Sequence, residues 1–531
     1  MVFRRGSIGQ AVAERIADML TNAEVQWADR LWRPNTIDSI KYLLDLVQSE
    51  AKDGAKSDAT EAARQSISND LFIPRQHRKG ILKSLEIHPG KLQPTSVKNE
   101  TLKSLCIELE DNYSDWVNYY FDNFDDSVDL ASSKVDGNAL AWQLAAHLRS
   151  YGMSVEWIAN FFNYNLRHNE EIVTLSSTMK TAHEIMQKDP GWIFFIPAEK
   201  RSSFNVPSPP LYQAAEFEDH FSRRFPEVPI PPNKGGLIVE VNTIDKHAGI
   251  SEARLITQRA IDRLRASKSR RQITLATQAW VWPGGWTTGL TLDSKQNIKV
   301  RQLDSDGGRH MFERLSEEIE AALDLLTAAD RTSSRAATIA SWAALETLFA
   351  DDSDFGNLAI VSERAANILT CLYVKVTYSH IIRGHSRSGN DALATDLRSA
   401  GESEAALLLE SKLPDHPVSV SPTLGELARQ RIVKLNIRQV IYIHSQLRGV
   451  FRRLYDLRNQ ITHAGRMEPY GLDRTYEEAT ILLSALMDEL LKQYRDNERN
   501  AREVAGRAEW LISRVVQERA TPASLTQISD N

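Results

Sequence analysis

Apolar residues recur at helical spacing through most of this chain, change to short strand-like runs between Gly235 and Leu303, and return to helical spacing from Met311 onward. Such a pattern excludes a single uniform bundle and a single large sheet. In "VAERIADMLTNAEVQWADRLW", Ile16, Leu20, Val25, Trp27 and Leu31 follow the helical period, and in "MFERLSEEIEAALDLLTAA" so do Phe312, Leu315, Ile319, Leu323 and Leu326. The middle segment reads differently. "GLIVEV" is a short apolar strand, "SEARLITQRAIDRLRAS" is a helix opened by Ser251, and "QITLATQAWVW", "TTGLTL" and "NIKVRQL" read as strands. The proline-rich stretches "PSPPLY" and "FPEVPIPPNKGG" cannot lie inside regular structure, because proline lacks a backbone donor.

The expected fold is therefore mainly α. A mostly helical N-terminal region covers 1–190, a Pro-rich connector 191–234, a small α/β module 235–305, a helical bundle 306–497 and a charged, frayed C-terminal tail 498–531. "RAATIASWAALETLFADDS" and "SERAANILTCLYVKVTYSHII" are apolar around much of their circumference, which places them deep in the bundle.

Composition narrows the setting. The only cysteines, Cys106 and Cys371, exclude a disulfide framework and have no metal-type spacing. No window approaches the ~18–20 apolar residues of a membrane span. Glu14, Arg15 and Asp18 interrupt the N-terminal segment and argue against a signal peptide. The expectation is a cytoplasmic protein with no membrane partner. The net charge of -6 does not announce a nucleic-acid binder, so an anion-binding surface has to be local.

One local excess stands out. Between Arg429 and Arg466 the chain carries nine basic residues, including Arg448, Arg452, Arg453, Arg458 and Arg466, opposed only by Asp456. The stretch "LYDLRNQITHAG" falls inside this run. Phe451, Leu454, Leu457 and Ile461 mark its buried face, and Gly465 reads as the residue that ends the helix. Asn459 and His463 are i,i+4 neighbours. Arg458 and His463 stand five apart, about 140° around an ideal helix, so only the long reach of Arg458 or a partner subunit brings them together. A guanidinium suits a phosphate and a phosphorane, and an imidazole exchanges protons near neutrality. If the anion is RNA, its own 2′-OH supplies the nucleophile, and neither metal nor cofactor is required. The alternative is a solvated helix face.

"FRRLYDLRNQITHAG", with the upstream "SWAALETLF" helix and the long terminal helix, resembles the HEPN superfamily and within it the Apea-like HEPN proteins. The resemblance covers roughly residues 306–497. It implies an all-helical bundle and a metal-independent endoribonuclease that works as a homodimer, with Arg and His from two protomers meeting in one cleft. By position, Arg458 and His463 become catalytic, Asn459 supporting, and Glu346 a further supporting residue; Arg448, Arg452, Arg453 and Arg466 become candidate RNA contacts. This chain has "HAG" where "HG" is usual. The resemblance further implies that the first 300 residues sense a trigger, phage-derived or nucleotide, or that a cognate antitoxin silences the bundle. The competing expectation is a non-catalytic dimerisation or nucleotide-binding scaffold.

Other motifs carry less. "HEIMQ" at His183 lacks the second histidine of a zinc-protease helix, and "WPGGWTTG" lacks the lysine and serine of a phosphate loop. "HIIRGH", with His380 and His385, reads as a surface loop. The basic helix from Arg254 to Arg271 reads as a solvated face.

Overall fold

The computed structural model describes residues 3–21, 26–167, 173–187, 191–201, 211–266, 273–289, 298–304, 311, 313–330, 333–354, 359–413 and 424–530. The described residues are mainly helical, with a small antiparallel sheet, and the chain divides into two compact units. One unit comprises 1–150, 159–180 and 296–531; the other comprises 151–158 and 181–295.

The chain opens with α1 (Ile8–Thr21), α2 (Thr36–Gln48), α3 (Asp53–Asn69), α4 (Arg75–Ser84), α5 (Val97–Asp122), α6 (Gly137–Ser150), α7 (Val155–Arg167) and α8 (Leu175–Met186). Local chemistry sets several starts. Asn35 accepts the Asp38 N–H ahead of α2, and Ser96 accepts the Asn99 N–H ahead of α5.

The smaller unit is built on β1 (Gly191–Arg201), β2 (Leu211–Tyr212), α9 (Ala214–Arg224), β3 (Gly236–Asn242), α10 (Lys246–Ala266), β4 (Ile273–Leu275), β5 (Gln278–Trp282) and β6 (Trp286–Gly289). The strand order is β2-β3-β1-β5-β6, with β4 also paired to β1. Phe194 of β1 faces Val239 of β3 and Val281 of β5 in register. Alternation along β1 divides the apolar side chains between two faces. Phe194, Ile196 and Ala198 pack with Ala253 of α10, while Ile193 and Phe195 pack with Phe217 and Phe221 of α9. The result is a helix on each side of the sheet. Gly236 sits where a Cβ would lie 2.5 Å from both the Ile196 carbonyl oxygen and the Phe217 ring, so only glycine fits.

Three readings of this region are corrected. The sheet begins at Gly191, inside the segment read as connector, because "IFFI" is a central strand covered on both faces and lacks the alternation that marks a half-buried one. The α10 helix begins at Lys246, not Ser251, since the Asp245 carboxylate accepts the His247 and Ala248 N–H groups at 2.8 and 3.0 Å. "NIKVRQL" forms no strand among its described residues. Its Lys299 and Gln302 N–H groups go to the side chains of Ser484 and Asp488, and 301–304 is a short helix, α11 (Arg301–Asp304). Leu290 to Leu292 of "TTGLTL" lie outside the described residues, as do Lys268, Arg270 and Arg271 of the basic helix.

The larger unit continues with α12 (Glu317–Asp330), α13 (Ser334–Phe349), α14 (Ile360–Ser388), α15 (Ala392–Ser399), α16 (Glu402–Lys412), α17 (Leu424–Lys434), α18 (Ile437–Thr462), α19 (Leu472–Asn497) and α20 (Ala501–Val516). One apolar core joins Trp32, ahead of α2, with Trp342, Tyr378, Phe451, Leu454, Leu486 and Leu525. The α14 helix is buried from Ala365 to Val374 without a break, as its all-round apolar composition predicts. "HIIRGH" lies within α14 rather than in a loop, and His385 is fully buried, 3.1 Å from Asp391.

The expected frayed tail is also corrected. Asn500 and Glu503 form a reciprocal capping box that starts α20, and a 3-10 segment over Pro522–Ser529 buries Ala523, Leu525 and Ile528 completely. Lys375 donates to Ser529 at 2.7 Å, and Ser529 donates to Glu489 at 2.9 Å. Abundant charge near the C-terminus concealed an amphipathic helix.

Candidate functional site

The site is assembled at the C-terminal end of α18. Asn436 caps the start of this helix by accepting the Gln439 N–H. The stripe Phe451, Leu454, Leu457 and Ile461 is buried, as the spacing predicts. Ile461 and Leu457 pack with Leu472 of α19 and Ile339 of α13, which anchors the last two turns. The helix stops after Thr462. His463 caps it with its N–H bonded to the Asn459 carbonyl at 2.9 Å, and Gly465 takes a left-handed conformation at φ +63°. The Arg466 N–H closes the turn on the Gln460 carbonyl.

This turn leaves Arg458 and Asn459 half-buried and His463 exposed. Arg458 Nη1 donates to Asn459 Oδ1 at 3.0 Å and lies 3.3 Å from His463 Nε2. The reach of Arg458 therefore closes the angular gap within one chain. A guanidinium only donates, so a hydrogen bond at this distance requires Nε2 of His463 as the acceptor. One guanidinium nitrogen thus bridges an amide oxygen and an imidazole nitrogen. An entering oxyanion would compete for it and release the Nε2 lone pair.

The surrounding basic run is largely neutralised by residues distant in sequence. Arg453 is 9% exposed and paired with Glu478 at 3.0 Å. Arg448 meets Glu363 at 3.3 Å, Arg452 meets Asp58 at 3.7 Å and Arg466 meets Asp45 at 2.8 Å. Arg429, Arg431 and Lys434 pair with Glu426, Asp29 and Asp136. Asp29 is buried between Arg15 and Arg431; burial raises its carboxyl, but the two guanidiniums outweigh that and hold it near 2. The sequence excess of positive charge is thus mostly cancelled by the fold. Asp456, its one acidic member, turns inward to Tyr42.

Glu346 is placed apart from the trio. Its carboxylate accepts the Trp342 indole N–H at 2.5 Å, and Trp342 packs on Tyr455, one turn before Arg458. Its position supports the helix rather than the polar cluster. A residue that sequence reading passed over, Arg335 of α13, reaches the turn after His463 and touches Met467. No motif marked it, since its proximity depends on how α13 crosses α18.

Two concavities lie elsewhere. A cavity of about 30 Å³ is lined by Asp38, Tyr42, Arg453, Tyr470, Arg474 and Glu478. In the sheet unit, a groove of about 420 Å³ is lined by Trp192, Ile193, Glu240, Asn242 and Trp282 among others. Neither contains the trio. Among the described residues, no helix is long and apolar enough to cross a membrane. Comparison of the chain with models of known protein families, with characterised proteins and with solved structures finds no match.

Proposed function

We propose that the protein is a metal-independent endoribonuclease whose centre is Arg458, Asn459 and His463. The observation that carries the reading is the convergence of these three side chains at an exposed helix end, with Arg458 Nη1 within 3.3 Å of His463 Nε2. The RNA 2′-oxygen attacks phosphorus, its proton passes to a base, and the 5′-oxygen leaves with a proton from an acid. His463 serves one of these proton transfers, and Arg458 stabilises charge on the phosphorane. Asn459 orients the guanidinium. The products carry 2′,3′-cyclic phosphate and 5′-OH ends. The proposal includes a cytoplasmic homodimer that acts as a regulated toxin or phage-defence effector, held in check by a trigger-sensing region or an antitoxin.

A second reading has its own support. The carboxylates that neutralise Arg448, Arg452, Arg453 and Arg466 favour a non-catalytic scaffold, because they leave a smaller cationic surface than an RNA-binding face requires. Incubation with total RNA in EDTA, beside the His463→Ala variant, separates the two. Cleavage by the wild type alone, leaving cyclic-phosphate ends, is expected. Equal cleavage by both proteins, or 3′-OH ends, would overturn the mechanism. No cleavage by either, with or without an extract of phage-infected cells as trigger, would favour the scaffold.

A further inference from the structure

The α13 and α18 helices run antiparallel where they meet. Trp342 packs on Tyr455, and Ile339, nearer the start of α13, packs against the cluster of Leu457, Ile461 and Leu472. One further turn toward the start of α13 brings Arg335, displaced by about 6 Å along the axis. That step carries Arg335 toward the end of α18 and the turn that follows it. The contact agrees: Arg335 Nη1 is 3.1 Å from the sulfur of Met467.

The company Arg335 keeps is unusual for an arginine in this part of the protein. On α18, in the turn after it and on α19, Arg453, Arg466 and Arg474 each face a carboxylate. Arg335 is half-buried, its Nε is enclosed without an acceptor, and its side-chain partner among the described residues is a thioether. A thioether is a weak acceptor, so most of the donors of this guanidinium have no strong partner. Met467 itself is 64% exposed and imposes no fixed geometry. Arg458, also half-buried at this helix end, likewise has no carboxylate partner among the described residues; its contacts are Asn459 and His463.

We infer that Arg335 is a second phosphate ligand of the site, a positioning residue that holds the phosphate next to the one engaged by Arg458. This rests on the ribonuclease reading and adds the substrate feature it requires: at least two consecutive phosphates of a single strand, spanned by cations from two helices. Binding moves the Arg335 guanidinium off Met467 and onto phosphate oxygens, where charge-assisted hydrogen bonds are stronger.

The test uses the full chain and a short, fluorescein-labelled, 2′-O-methylated single-stranded RNA, which keeps its phosphates but cannot be cleaved by 2′-OH attack. Affinity is measured from about 50 to about 200 mM salt for the wild type, Arg335→Ala, Arg335→Gln and Arg335→Lys. Removing one phosphate contact lowers the slope of log K against log salt by about 0.7 for a single strand. We expect that loss for Arg335→Ala and Arg335→Gln, with about tenfold weaker binding at low salt, and a retained slope for Arg335→Lys. Arg335→Gln keeps length and polarity, so it covers the case in which Arg335→Ala fails to fold. If Arg335 only counters the negative end of α18, the variants lower the melting temperature and leave the slope unchanged. An unchanged slope with intact wild-type binding overturns this inference and spares the ribonuclease. Absence of wild-type binding at every salt concentration overturns both.

Discussion

The Tyr42 hydroxyl donates a 2.6 Å hydrogen bond to the carboxylate of Asp456, joining α2 to α18. Burial raises this carboxyl to about 6, and neither the hydroxyl nor the nearby Arg452 brings it back to its ordinary value of 3.8. The native state therefore holds its proton at a pH where the unfolded chain has released it. Stability from Asp456 is fully present below about 4 and is lost as pH rises through about 6. Asp456→Asn keeps an oxygen for Tyr42 and removes the charge. We expect it to raise stability at neutral pH by about 1–3 kcal/mol and to flatten the decline between about pH 4 and 6. Urea unfolding of both proteins at pH 4 and pH 7 measures this; an equal effect at both pH values would contradict it.

Arg453 offers a contrast between charge read from sequence and charge met in the fold. It belongs to the basic run, yet it is buried against Glu478, which also holds Arg474 at 3.2 Å. Arg453→Ala leaves Glu478 half-compensated inside the protein. The expected cost is about 2–4 kcal/mol, less than for a carboxylate stripped of every partner. Denaturant titration gives the value, and RNA affinity of the folded fraction should hold steady. A stable Arg453→Ala protein that had lost RNA affinity would return Arg453 to the binding surface.

Leu525 tests the C-terminal segment. It is fully buried in the main core although it lies six residues from the end of the chain given. Leu525→Ala should cost about 2–5 kcal/mol, as for other enclosed leucines. Removal of residues 522–531 should cost more, since Ala523 and Ile528 are lost with it. A truncation with an unchanged melting temperature would show that the segment does not hold the core.

Local pattern carried much of the architecture. The stripe Phe451, Leu454, Leu457 and Ile461, the all-round apolar α14 and the strand "GLIVEV" could be read directly, because each reflects a periodic rule acting over neighbouring residues. The end of α18 was legible for the same reason: a left-handed turn needs a glycine, and Gly465 supplies it. The hidden features depended on partners far along the chain. The β1 strand looked like connector until two faces covered it, and the tail looked frayed until Leu525 and Ile528 found a core.

The sequence by itself determined the apolar stripes of most helices, the strand β3, and that Arg458, Asn459 and His463 share one helix end. Tertiary structure alone decided which charges remain unpaired. Asp45, Asp58, Glu363 and Glu478 close on the basic run from other helices, while Arg335 arrives at the turn after His463 with a thioether for company. The reason is physical. Helical periodicity is set by neighbours three and four residues away, whereas electrostatic interactions act between side chains a few ångströms apart, whatever their separation in sequence.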